Sequence, residues 1–151
     1  MSYISTVGIT VGLLAGAWAY ASGLAGVSAF AGFLGWASYF AAGCGKDGAM
    51  KALCSNLSGV LWGVVFVWLS PFAPAQLGVV IIAILAGIMC WQANFPLLSF
   101  IPGTFIGNAC FYANGNNWSD TAIGLLCGIS LGLASDYLAK YISAGAAKDK
   151  T

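Results

Sequence analysis

The chain has 151 residues, of which 60% are hydrophobic and 6% charged, and its mean hydropathy is +0.91. Soluble globular proteins carry roughly a quarter charged residues, so this composition excludes a water-facing globule and leaves a lipid bilayer as solvent. Five Lys and four Asp, with no Arg, Glu or His, make up the charged set, and a net charge of +1 excludes the basic patch a nucleic-acid partner needs.

Residues 4–21 form an apolar run that meets the roughly 17–20 residues a crossing helix requires. Ala17-Trp18-Ala19 mimics a small-x-small cleavage site, but the basic segment that opens a signal peptide is missing, which favours a first span. Ser22 to Gly26 reads as a glycine-containing turn into a second span, residues 27–43. Cys44 to Gly48 is the first polar loop, followed by Lys51. The third span covers residues 49–69 and is stopped by Pro71 and Pro74. Residues 77–93 are the fourth and 97–112 the fifth, in which Pro102-Gly103 is expected to kink or interrupt the helix. After the polar loop 114–117, Ser119 or Asp120 reads as the N-cap of a sixth span ending near Tyr141, with a charged, frayed tail over 144–151.

An internal repeat runs through this order. FLGWASYFAAG, Phe33 to Gly43, matches FIGNACFYANG, Phe105 to Gly115, with identities at Phe33/Phe105, Gly35/Gly107, Ala37/Ala109, Ala41/Ala113 and Gly43/Gly115. Trp36 falls opposite Asn108, an intrinsically polar substitution inside an apolar segment. Gly12 to Gly16 pairs with Ala83 to Gly87, and Gly59 and Gly63 pair with Gly128 and Gly132. The expected fold is therefore all-α: one polytopic membrane domain of six transmembrane helices, as repeats over about 4–70 and 76–142. A unit with an odd number of crossings enters the membrane from opposite sides in its two copies, so these are inverted repeats, as in many transport proteins.

With six crossings, every lysine (Lys46, Lys51, Lys140, Lys148 and Lys150) falls on one side, which the positive-inside rule makes the cytoplasm, with both termini. Gly8, Gly12 and Gly16, Gly59-x-x-x-Gly63 and Gly128-x-x-x-Gly132 each give a helix a small-residue face. Such faces hold one protomer together or pair it with another, and their number points to a homo-oligomer.

Candidate chemistry is sparse. Asn108 lies about halfway along its span, where a bare amide must find a partner, either a crossing solute or a neighbouring helix. Asn56 is nearer the cytoplasmic end, where capping is the simplest role. Ser38, Thr104, Ser58, Cys110 and Trp36 complete the polar or polarisable set. Tyr39, Phe40, Phe111 and Tyr112 end the repeated spans as belt residues or a constriction. Cys44, Cys54, Cys90, Cys110 and Cys127 read as apolar fillers, not a disulfide or metal set. Asp136 and Lys140, four apart, form a pair at a helix end, leaving no midplane carboxylate or imidazole for proton coupling. Without His, no Ser/His or Cys/His pair exists, so the chain is not expected to be an enzyme and no cofactor is implied.

Gly35-Trp36-Ala37-Ser38-Tyr39-Phe40-Ala41-Ala42-Gly43 and Asn56-Leu57-Ser58-Gly59-Val60-Leu61-Trp62-Gly63, with the size and span number, resemble the YcdZ-like bacterial inner-membrane proteins, a family of unknown function. The resemblance implies a bacterial inner-membrane location and brings no site residues. The residues themselves point to a channel or facilitator for a neutral or weakly charged small solute. The second and fifth spans line its path, and Trp36, Ser38, Tyr39, Asn56, Thr104, Asn108 and Phe111 contact the solute. The alternative is a non-transporting subunit that binds a partner through its glycine faces.

Overall fold

The computed structural model describes residues 2–148, and among these there are six α-helices. Helix α1 (Tyr3–Ala25) is capped by the Ser2 hydroxyl, which accepts from Ser5 N at 3.2 Å, and is closed by Gly26 in the left-handed conformation. Helix α2 (Ala29–Ala41) has Ser28 as its cap. Helices α3 (Gly45–Leu69) and α4 (Ala75–Trp91) follow, joined by a 3-10 turn, Ser70–Phe72, around Pro71. Two more 3-10 turns, Gln92–Asn94 and Pro96–Leu98, lead into α5 (Ile101–Ala113) and then α6 (Trp118–Lys148).

Several boundaries differ from the sequence expectation: α1 runs through the expected 22–26 turn as far as Ala25, and α3 starts at Gly45, inside the expected 44–48 loop. The fifth helix starts at Ile101, not 97, because Pro102 lacks an amide proton and is tolerated only in the first turn. The last helix is capped by Asn117, whose Oδ1 accepts from Asp120 N at 3.1 Å. Asp120 thereby accepts from Ser28 N and Asn114 Nδ2 instead, at 3.1 and 2.6 Å, tying α6 to α2 and α5. This helix also continues past Tyr141 to Lys148, while residues 149–151 of the expected frayed tail lie outside the described residues.

Four stretches are long and apolar enough to cross a bilayer: Tyr3–Ala25, Gly45–Phe72, Gln76–Asn94 and Trp118–Gly145. Helices α2 and α5 have 13 residues each, about 20 Å at 1.5 Å per residue, against a hydrocarbon core of about 30 Å. The two short helices pack against the long ones, α2 on α6 and α5 on α3. Each pair runs parallel: Ser28, Gly32 and Tyr39 meet Asp120, Gly128 and Asp136 in turn, as Thr104 and Phe111 meet Gly59 and Gly63.

Glycine makes these parallel contacts close. A Cβ on Gly35 would strike the Leu125 carbonyl, and one on Gly107 the Asn56 carbonyl. Gly128 lies against the Gly32 carbonyl and Gly59 against that of Thr104, while Gly132 meets the Tyr39 ring and Gly63 the Phe111 ring. The repeat alignment pairs each glycine with the other and each partner with the other, so these three contacts between α2 and α6 have their counterparts between α5 and α3. The glycine faces of α3 and α6 are thus spent inside the protomer. Gly8, Gly12 and Gly16 on α1 have nothing within 4 Å of an added Cβ.

Candidate functional site

Buried side chains divide the bundle by polarity. Ala31, Val60, Cys110, Phe111 and Leu125, with Leu34, Val64, Val67 and Ile106 packed on them, form an apolar plug. Towards the end where α1 begins and α2 ends, the interior is polar, and every helix or its extension contributes. Thr6 and Thr10 come from α1, Trp36, Ser38 and Tyr39 from α2, and Ser55, Asn56 and Ser58 from α3. Gln92 extends α4, and Thr104 of α5 with Ser135 and Asp136 of α6 complete the layer. Of the remaining buried polar residues, Ser22 and Thr121 lie at the opposite end.

Three hydrogen-bonded groups make up this layer. In the first, Ser38 Oγ donates to Asn56 Oδ1 at 3.2 Å, both residues being fully buried. The Asn56 Nδ2 and the neighbouring Ser55 hydroxyl are buried with no partner. Asn56 is therefore not a helix cap: α3 begins at Gly45, which puts this amide well inside the helix. In the second, Gln92 Nε2 donates to Ser58 Oγ and Thr104 Oγ1 at 2.9 and 2.7 Å, and its Oε1 accepts from Trp62 Nε1 at 3.0 Å.

The third is centred on Asp136, fully buried although its partner Lys140 is half-exposed at 53%. Lys140 Nζ and Tyr39 Oη donate to Asp136 Oδ2, each at 2.7 Å, and Tyr3 Oη donates to Oδ1 at 2.6 Å. Tyr39 Oη also accepts from the Gly45 amide at 2.8 Å. Three donors, one of them a cation, offset the cost of taking a carboxylate out of water. Trp36 Nε1 donates to Ser135 Oγ at 3.2 Å beside this group. Just outside α3, burial pushes the Cys44 thiol pKa up and Asp136 adds to the rise, with Lys140 opposing.

Ser38, Asn56 and Thr104 come together in the polar layer, the last through Gly103, which abuts the Asn56 side chain. Trp36 and Tyr39 turn towards α6. Asn108 lies apart: its Nδ2 donates to the Gly59 carbonyl at 3.2 Å, and it lines a cavity of about 230 Å³ between α3, α4 and α5 with Trp62, Phe105 and Tyr112. A matching cavity of about 240 Å³ between α1 and α2 is lined by Phe33, Trp36 and Phe40, the repeat counterparts of Phe105, Asn108 and Tyr112. Phe111 belongs to the apolar plug. The four terminal aromatics divide by position: Tyr39 and Phe111 are buried, whereas Phe40 is half-buried and Tyr112 exposed. Gln92, Ser55, Ser135 and Tyr3 escape a reading of the sequence. Gln92 has a weak signal there, as a polar residue closing an apolar span.

The family model described as "Protein of unknown function (DUF1097)" matches residues 8–140. The "Uncharacterized protein YahC" of Escherichia coli is 34% identical, the alignment covering 98% of each chain. "Inner membrane protein YcdZ" of Escherichia coli is 37% identical over 98% of this chain and 93% of its own length. The protein of the same name from Salmonella typhimurium is 36% identical over 89% of this chain and 86% of its own length. No solved structure matches. With a family model covering most of the chain and apolar helices long enough to span a bilayer, the chain belongs to the DUF1097 family as a membrane protein.

Proposed function

We propose that this protein is a six-pass facilitator of the inner membrane, built from two inverted three-helix repeats, that passes a small neutral or weakly charged solute. The path runs along α2 and α5, with Trp36, Ser38, Tyr39, Asn56, Thr104, Asn108 and Phe111 as its contacts. Lys46, Lys51 and Lys140 at the end of the polar layer make that end cytoplasmic, and both termini lie with it. The reciprocal glycine contacts support the duplication, since two copies related by a two-fold axis exchange their contacts.

The observation that carries this reading is the unpartnered Ser55 hydroxyl and Asn56 amide. A buried polar group without a partner costs about 1–3 kcal/mol, and in a bilayer no water is at hand to relieve it unless a path brings some in. Both groups can donate, and the one buried carboxylate among the described residues is neutralised by Lys140. Such a site suits an uncharged solute that accepts hydrogen bonds.

Osmotic shrinkage and recovery of proteoliposomes in small polyols and amides tests it. Recovery should be faster than in empty vesicles and should slow at least about tenfold in Asn56→Leu, which keeps the branched side-chain skeleton and removes the unsatisfied amide. If no probe moves faster than through lipid alone, the reading fails.

A second reading, a membrane subunit or self-assembling protomer, is favoured by the open Gly8, Gly12 and Gly16 face of α1. A stoichiometric partner, or a second copy, retained in mild detergent and lost in Gly12→Leu would support it.

A further inference from the structure

The three consecutive residues Gly43, Cys44 and Gly45, which join α2 to α3, all have positive φ, at 103°, 60° and 66°. Cys44 combines its φ with a ψ of −177°, a region that glycine alone enters freely. A side chain there persists only where its surroundings hold it. Backbone bonds from Gly43 N to the Phe40 carbonyl and from Cys44 N to the Tyr39 carbonyl close the turn, and Tyr39 Oη fastens it to the bundle by accepting from the Gly45 amide and donating to Asp136, itself joined to Tyr3 of α1 and Lys140 of α6. One buried carboxylate thus ties the turn to the first residue of α1, the last turns of α2 and the side of α6.

The counterpart turn after α5 is built differently. Gly115 and Asn116 take φ values of 63°, a conformation both residue types accept. Phe111 stands where Tyr39 would be, packed with Val67 in the apolar plug. The ring of Tyr39 reaches a buried carboxylate, whereas Phe111 has only apolar neighbours, and the turn after α5 is held instead by Asn114, which donates to Asp120 and Thr121 of α6. Behind the Tyr39–Asp136 bond lie Ser38, Ser55 and Asn56.

We propose that the Gly43-Cys44-Gly45 turn is a gate, latched by Tyr39 on Asp136, whose release exposes the buried Ser38, Ser55 and Asn56 side chains to the lysine-bearing end. Strain at Cys44 drives the turn open once the latch is lost. What the gate admits rests on the facilitator reading; that it moves does not.

Tyr39→Phe keeps the ring beside Gly132 and deletes the hydroxyl, while Asp136→Asn keeps the shape and deletes the charge. Hydrogen–deuterium exchange over residues 43–48 in nanodiscs should quicken about tenfold or more in each, with residues 108–117 unchanged. Ser38→Cys, in a chain whose native cysteines are alanine, should react with a small thiosulfonate several-fold faster when Tyr39→Phe is added. Cys44→Gly, which removes the strain and leaves the latch, should slow exchange of the turn. If exchange and Ser38→Cys reactivity are unchanged in both latch variants while each elutes as a folded, monodisperse species, the gate is refuted. Faster exchange and labelling without any change in vesicle flux supports the gate and counts against the facilitator.

Discussion

Cys44 is where side-chain chemistry and backbone strain coincide. Its thiol pKa is raised, first by burial and then by Asp136, so at a given pH its thiolate fraction is smaller than that of an ordinary cysteine. Alkylation of Cys44 by N-ethylmaleimide, in a chain whose other cysteines are alanine, should therefore reach half its limiting rate at a higher pH than alkylation of a free cysteine derivative under the same conditions. Asp136→Asn should bring that midpoint down, because the anion that disfavours the thiolate is gone. A fall in the midpoint reports electrostatics, whereas a rise in the limiting rate at high pH reports opening of the turn, so one titration separates the two effects. A midpoint equal to that of the free derivative would contradict the burial of the Cys44 thiol. The sequence made the Asp136–Lys140 pair legible through its spacing of four, which any helix brings together. It could not disclose Tyr3 and Tyr39 on the same carboxylate, since those contacts span more than 90 residues and depend on how α1 and α2 lie against α6.

Between elements, glycine decides which helix surfaces meet. Gly107→Ala and Gly128→Ala each place a methyl against a backbone carbonyl of the facing helix, and overpacking of this kind costs about 1–3 kcal/mol. Gly12→Ala, with open space around it, should stay within about 0.5 kcal/mol of the parent. Reversible SDS unfolding of the three variants measures the difference, and equal stabilities would show that the α2–α6 and α5–α3 contacts are looser than described. Four-residue glycine spacing was readable in the sequence on α1, α3 and α6 alike. It specifies a groove and not the helix that fills it, so nothing local distinguishes the spent faces of α3 and α6 from the open face of α1. The shortness of α5 was half-legible in the same way. Pro102 announced an interruption, but only the fold shows that the helix begins there while the preceding residues curl into 3-10 turns.

For the molecule as a whole, the question is how many helices cross the bilayer. Asp47 in the first turn of α3 and Ser119 in the first turn of α6, both exposed, are separated by the apolar lengths of α3, α4 and α5. If all three cross, the two positions face opposite sides; if the 13-residue α5 stops short, they share one side. The parallel contacts of α5 with α3 extend from Asn56 to Gly63 and on to the plug at Val67, which carries the short helix along much of a spanning neighbour. A bilayer thins locally around a short span at a cost of fractions of a kcal/mol per Å, less than leaving the apolar α5 undocked. Asp47→Cys and Ser119→Cys, each in a chain otherwise free of cysteine, should thus differ in intact cells. Ser119→Cys should react with an impermeant maleimide added outside, and Asp47→Cys only after permeabilisation. Labelling of both from one side would remove a crossing, separate Lys46 and Lys51 from Lys140, and dismantle the inverted pair of repeats together with the path between them.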